Sequence, residues 1–138
     1  MTDDYLGAQR AMVERLRQQA PGLRSVEASC SPTGPQSVAL RPAALVTHEE
    51  FSSLGRDNGI TLAMQKWKIT LMVPAFNDRL GSDGLHILGQ LAAQVVQALA
   101  GWSPGSGYSS MELLSCGGEE LNEGSVLLHL RFQTIGLV

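Results

Sequence analysis

Two segments carry part of a known catalytic or binding pattern. Residues 48–50, His-Glu-Glu, match the start of a His-Glu-x-x-His zinc site, in which two histidines one helical turn apart hold the metal. The second histidine is missing, because that position is Ser52. The glycine-rich residues 101–107 resemble a phosphate-binding loop but lack its Gly-Lys-Ser/Thr ending. The sequence therefore predicts neither a zinc site nor a nucleotide site, and we interpret residues 101–107 as a turn.

The remaining histidines and the cysteines also lack the partners that catalysis needs. His86 lies near the start of an amphipathic pattern, and His129 alternates onto the polar face of a predicted strand. Neither is placed beside a nucleophile or a carboxylate. Cys30 and Cys116 are far apart and form no Cys-x-x-Cys pair, which argues against zinc and a disulfide framework and favours reduced, buried thiols. We expect no cofactor, no metal and no enzyme activity.

Three carboxylates, Glu119, Glu120 and Glu123, cluster where the sequence predicts the tip of a β-hairpin. Water at an exposed tip keeps carboxylates ionised, so no burial is available to separate their pKa values for acid and base roles. The cluster is either a solvated turn or a docking contact for a basic partner.

The polar connection predicted over residues 48–58 contains two apolar residues, Phe51 and Leu54, together with Arg56. Such a loop usually folds its apolar side chains back onto its own domain. Long loops in small domains are also often functional, and exposed apolar side chains on them mark partner surfaces. Both interpretations stay open for this segment.

Hydrophobic periodicity predicts the elements that hold these residues. Apolar steps of three and four predict a first helix from Thr2 to Ala20, capped by Thr2 or Asp3 and stopped by Pro21. A second helix, from Gly84 to Ala100, is capped by Ser82 or Asp83. Its predicted buried stripe consists of Leu85, Leu88, Leu91, Ala92, Val95 and Leu99. The predicted strands are Arg24–Ser29, Ala43–Thr47, Thr61–Val73, Tyr108–Cys116 and Ser125–Thr134.

Alternation in two of these strands predicts the faces of the sheet. Gln65, Trp67, Ile69, Leu71 and Val73 share one buried face. Lys66, Lys68, His129 and Arg131 fall on the opposite face, which we interpret as polar, positive and solvated. The order of elements predicts an α+β fold with a mixed, mainly antiparallel four- to five-stranded sheet and two helices packed against it. We expect a single domain over residues 1–138.

Charge and hydropathy exclude several functional classes. The net charge of −3 and the absence of a Lys/Arg cluster give no field for phosphate contacts, so we expect no nucleic-acid partner. The acidic start of the chain does not resemble a secretory signal. The most apolar stretch, residues 85–100, is interrupted by polar residues and is no membrane span. We expect no membrane partner and assembly in the cytoplasm.

Several segments follow one another in an order that is typical of a known family. They are Ala-Pro-Gly-Leu at residues 20–23, Arg-Pro-Ala-Ala-Leu-Val at 41–46, the Phe51 segment, the strand at 65–73, the helix end at 99–104 and the strand at 127–132. In spacing and hydrophobic type, they resemble the Mu-like phage tail terminator family over nearly the whole chain.

The resemblance implies a structural subunit of the virion tail, assembled in the cytoplasm of a bacterial host. Such a subunit forms a ring, expected to be a hexamer, on the completed tail tube, stops further addition of tube protein and presents a surface to a head-completion protein. A ring requires two different patches on each subunit that meet head to tail. We expect Phe51, Leu54 and Arg56 in one patch, and the sequence does not identify the other.

Two alternatives share the same composition. One is a head-completion or connector subunit, which also combines small size with a lack of chemistry. The other is a small cytoplasmic enzyme or ligand-binding domain with a pocket between the sheet and the second helix, using His129 or Cys116. No nucleophile, base and orienting group can be nominated together for the second alternative.

Overall fold

Two helices and five strands make up the fold in the computed structural model, which describes residues 4, 6–29, 42–74, 82–122 and 125–138. In chain order they are α1 (Gly7–Gln19), β1 (Ser25–Ser29), β2 (Ala43–Asp57), β3 (Ile60–Pro74), α2 (Ser82–Leu99), β4 (Glu112–Asn122) and β5 (Ser125–Leu137). The strands form one sheet in the order β1-β2-β3-β5-β4. Only β1 and β2 are parallel, and the other neighbours are antiparallel. The predicted α+β class is confirmed.

The central strand β3 organises the core. Its predicted buried face is confirmed, because the side chains of Gln65, Trp67, Ile69, Leu71 and Val73 are fully buried. Leu128, Leu130 and Phe132 on β5 extend this face, as their alternation predicted. Both helices pack on this side of the sheet, so one apolar cluster contains buried residues from α1, α2 and the sheet.

Helix α1 buries the stripe predicted from its periodicity and begins later than expected. Ala8, Met12 and Leu16 are fully buried, whereas the helix starts at Gly7. Asp4 accepts a hydrogen bond from the backbone N–H of Leu6 (2.9 Å) and pairs with the Arg10 guanidinium. These two contacts lower the pKa of the Asp4 carboxyl. The predicted caps Thr2 and Asp3 lie outside the described residues.

Helix α2 crosses the same face of the sheet and contacts α1 closely. Leu88, Leu91, Val95 and Leu99 are buried as predicted, but Leu85 is 45% exposed. At the end of α1, a side chain on Gly22 would lie 2.7 Å from Leu91, so only glycine fits there without movement. Ser82 and Asp83, which were predicted as caps, form the first residues of the helix.

The opposite face of the sheet differs from the expected positive surface. Lys66 Nζ lies 3.4 Å from a Glu50 carboxylate oxygen, and Arg131 Nε lies 3.2 Å from Glu49, so these cations are locally neutralised. Lys68 is only 8% exposed. His129 Nδ1 lies in a hydrogen bond of 3.0 Å with the Thr70 hydroxyl. Beyond them, this face carries a second apolar cluster, made of Ala43, Leu45, Met72 and Leu127.

Two strands are longer than the sequence indicated. Residues 48–57 continue β2 instead of forming a loop, because they pair with β3 down to Asp57 and Ile60. Residues 117–122 continue β4, so the predicted hairpin tip is shorter. Cys116 on β4 is exposed, which corrects its predicted burial, and Cys30 lies outside the described residues. None of the described helices is long and apolar enough to cross a bilayer.

Truncating a core side chain should test this layered packing. We expect Leu130→Ala to lower the free energy of unfolding by about 2–5 kcal/mol, because Leu130 is fully buried between the sheet and the helices. Leu85→Ala is the matched control and should change it by less than about 0.5 kcal/mol, because that side chain is largely exposed. Urea denaturation of both variants measures the difference. Equal losses would contradict the packing described for β5.

Candidate functional site

The β2–β3 hairpin extends beyond the part of the sheet that the helices cover. We call residues 51–64 the arm. Residues 43–47 of β2 are all buried, whereas residues 53–60 are all exposed. Ser, Gly, Arg and Asp in this stretch of β2 tolerate water, which is why the two strands can continue past the core. The exposed residues of the arm therefore lie outside the packed core.

A tight turn closes the arm. Asn58 and Gly59 have positive φ values of 49° and 79°, the conformation of a two-residue type I′ turn. This turn matches the right-handed twist of paired strands, so it holds β2 and β3 in register to their ends. The end of β5 supports the same region, because Thr61 and Val138 exchange two backbone hydrogen bonds of 2.7 and 2.8 Å.

One face of the arm carries an open apolar groove of about 430 Å³. Gly55 pairs with Leu62, and Leu62 pairs with Leu137 on β5, so glycine leaves space beside two leucines. Ile60, Leu62 and Leu137 are each between 36% and 37% exposed. Arg56 and Asp57 supply opposite charges at the groove wall. A groove with an apolar floor and a charged wall is suited to contact with another polypeptide.

The base of the arm is fixed by aromatic packing. His48 lies between two rings, with its centroid 5.0 Å from Trp67 in an edge-on arrangement and 5.4 Å from Phe51. A β-bulge between His48 and Glu50 brings His48 and Phe51 close enough for this contact. Phe51 is thus only partly exposed and belongs to the base of the arm, not to its open surface.

The structure brings the three predicted interface residues onto this one hairpin. Leu54 is 48% exposed and Arg56 is exposed, as an interface residue must be before assembly. Phe51 instead contacts its own domain. Folding back onto the domain therefore describes Phe51, and a role of Leu54 and Arg56 in an interface stays a prediction.

The sequence interpretation missed the apolar part of the groove, which is formed by Ile60, Leu62 and Leu137. An available signal was Asn58-Gly59 just before the predicted strand Thr61–Val73, because Asn-Gly is the strongest short-range indication of a hairpin. Reading it would have extended that strand to Ile60 and paired it with a strand formed by the Leu54 segment.

Two members of the acidic cluster lie on a strand and not at a hairpin tip. Glu119 and Glu120 lie on β4, where the structure describes their backbone only, and Glu123 lies outside the described residues. Their proposed role in docking a partner stays a prediction.

The structure places the candidate histidines His86 and His129 on different elements of the described chain. No group of three or more His, Cys, Asp or Glu side chains within them is placed to hold a metal ion. His86 is exposed on α2. His129 lies on the sheet face opposite the helices, and the space between the sheet and α2 is filled by the core. The pocket expected by the enzyme alternative is therefore absent from the described part of the chain.

Comparison with known proteins identifies the architecture. The model of a family described as phage tail terminator protein matches residues 1–135. A solved structure from the virion of a native gene transfer agent particle is similar with a TM-score of 0.66 and 18% identity, covering 98% of this chain and 100% of that one. A second solved protein is similar with a TM-score of 0.58 and 10% identity, covering 98% and 96% of the two chains. No curated protein sequence matches the chain.

Substitution at the turn should test how firmly the arm is held. We expect Gly59→Ala to lower the free energy of unfolding by about 1–2 kcal/mol, because a side chain is strained at a φ of 79° even though the space beside it is open. The matched control is Gly89→Ala in α2, where the space is also open and φ is ordinary. The free energy of unfolding of that variant should rise by about 0.5–1 kcal/mol, because alanine has a higher helix propensity than glycine. Chemical denaturation measures both variants, and an increased free energy of unfolding for Gly59→Ala as well as for Gly89→Ala would contradict the type I′ turn.

Proposed function

The chain belongs to the phage tail terminator family, and we propose that it forms a closed ring on the completed tail tube, ends tube polymerisation and provides the surface that joins the head. The family is one of structural tail proteins, which places the chain in the tail of the virion. We expect the ring to be a hexamer, with the tail tube protein on one side and a head-completion protein on the other.

The observation that carries this proposal is the arm. A hairpin that projects from the packed body and keeps Leu54, Ile60 and Leu62 exposed is costly for an isolated subunit, because apolar surface in contact with water is unfavourable. Covering this surface with protein removes the cost. The turn and the aromatic base hold the arm in one shape before assembly, which reduces the entropy lost on binding.

The proposed mechanism is steric and requires no bond chemistry. A ring seated on the last layer of tube covers the surface to which the next tube subunits would add, and its other side is then free for a different partner. The backbone of β4 at Glu119 and Glu120 places two acidic residues on an edge strand, where we propose that they contact a basic partner. The sheet and the arm serve as the rigid frame for both contacts.

Tail length is the direct test of termination. Tails assembled without this protein should have tubes of variable and increased length, whereas addition of the wild-type protein should restore a uniform length, measured by electron microscopy. Leu54→Ser with Leu62→Ser should fail to restore uniform length, because the exposed apolar contacts of the arm are removed.

The control is Leu85→Ser, which changes an equally exposed leucine on α2 and should terminate tails normally. Tubes of uniform length in the absence of the protein would contradict the proposal. Binding to isolated head portals but not to tail tubes would instead favour the head-completion alternative.

A further inference from the structure

The sheet has two long open edges within the described residues. Strand β4 is the last strand on one side, and no described strand pairs with its outer edge. On the other side, β1 pairs only with Ala43–Thr47, so residues 52–57 of β2, which pair with β3 on their inner edge, have no described strand on their outer edge. Such edges present rows of backbone N–H and C=O groups and are normally covered, shortened or blunted.

We infer that the two edges are partners, and that β4 of one copy adds to the β2 edge of the arm in the next copy. This inference rests on the proposed ring and identifies the two patches that meet in it. Addition of a strand to an exposed sheet edge is a common mode of protein recognition, in which backbone hydrogen bonds supply affinity. The occupant of the arm edge is thus a second copy of this chain.

The strand directions suit this pairing. Each of β2–β3, β3–β5 and β5–β4 is antiparallel, so β4 runs opposite to β2. A second copy placed beside the first in the same orientation therefore meets β2 in the antiparallel sense, which gives the more favourable ladder. The contact joins two different surfaces, so it is head to tail, as a ring requires.

Exposed leucines accompany both edges. Leu113 and Leu114 on β4 are 37% and 42% exposed, and Leu54 on the arm is 48% exposed. Strand pairing brings side chains of adjacent strands within about 5 Å of each other, so leucines from both copies become buried together. Arg56 on the arm is opposite in charge to the glutamates of β4, whereas the neighbouring Asp57 has the same charge, so the open strand edges and their leucines carry the pairing.

Strand β1 sets the offset between copies. Glu112 is level with Gln133, Lys66 and Glu50 across the sheet, so β4 lies level with the part of β2 that β1 already occupies. To reach residues 52–57, the next copy must therefore be shifted along the strand direction by about eight residues, which is about 26 Å. Each copy adds five strands, so this shift accompanies about 24 Å of sheet width. Closure with such a stagger requires strands tilted by about 45° to the ring axis, close to the tilt of closed barrels.

Lysine substitutions at each edge test the pairing. Leu54→Lys on the arm and the double variant Leu113→Lys, Leu114→Lys on β4 should each prevent assembly, because lysine blunts an edge strand and its ammonium group would have to be buried where a leucine contact is expected. Leu85→Lys is the matched control and should assemble like the wild type. The mass of each full chain, alone and with isolated tail tubes, is measured by light scattering.

Mixing the two edge variants distinguishes this interface from other contacts. Each variant retains the edge that the other lacks, so the mixture should give dimers and no ring. In wild-type assemblies, hydrogen exchange of residues 52–57 and 112–118 should slow by about tenfold or more relative to a monomeric edge variant.

The possible failures are separable. If the wild type assembles on tubes but the edge variants do so equally well, or the protected amides lie elsewhere, the edge pairing is wrong and the proposed ring stands. If the wild type never assembles, with or without tubes, both the edge pairing and the proposed function are overturned.

Discussion

The length of the two central strands is the constraint on which the rest of the structure depends. β2 and β3 have 15 residues each, whereas α1 and α2 have 13 and 18. At about 3.3 Å per strand residue and 1.5 Å per helix residue, strands of about 50 Å lie under helices of about 20 and 27 Å. The helices therefore cover only part of the sheet. The remainder becomes the arm, with its polar β2 side and its exposed apolar groove.

The covered and uncovered parts of the sheet are fixed by different interactions. Under the helices, Trp67, Ile69 and Leu71 are fully buried, and close packing determines their position. The position of the arm is fixed instead by its type I′ turn, by backbone pairing to the end of β5 and by the contact of His48 with two rings. An exposed surface thus stays ordered without a core of its own, which suits it to repeated contact with neighbouring subunits.

The chemistry of the described residues is consistent with a structural role. Charged side chains on the open face of the sheet pair with each other, and the exposed pairs Lys66–Glu50 and Arg131–Glu49 each contribute less than about 1 kcal/mol. They keep this face neutral more than they stabilise it. The described surfaces that stand out are instead apolar or hydrogen-bonding: the groove of the arm and the open edges of β2 and β4. The proposed contacts with protein partners use these surfaces.

The sequence by itself determined the elements whose apolar residues face a single core. The stripe of α1, the stripe of α2 apart from the exposed Leu85, and the alternation of β3 and β5 were predicted correctly, because burial of one face imposes a period of 3.6 or 2 on the residues. Residues 48–57 show no alternation of their own, and apart from the Asn58-Gly59 turn signal it is their pairing with β3 in the tertiary structure that makes them a strand. The same holds for Leu62 and Leu137, which lie 75 residues apart in the chain and become neighbours through the sheet register. A candidate site made of exposed residues on three strands has no periodic signature, and pairing between strands distant in sequence is what creates it.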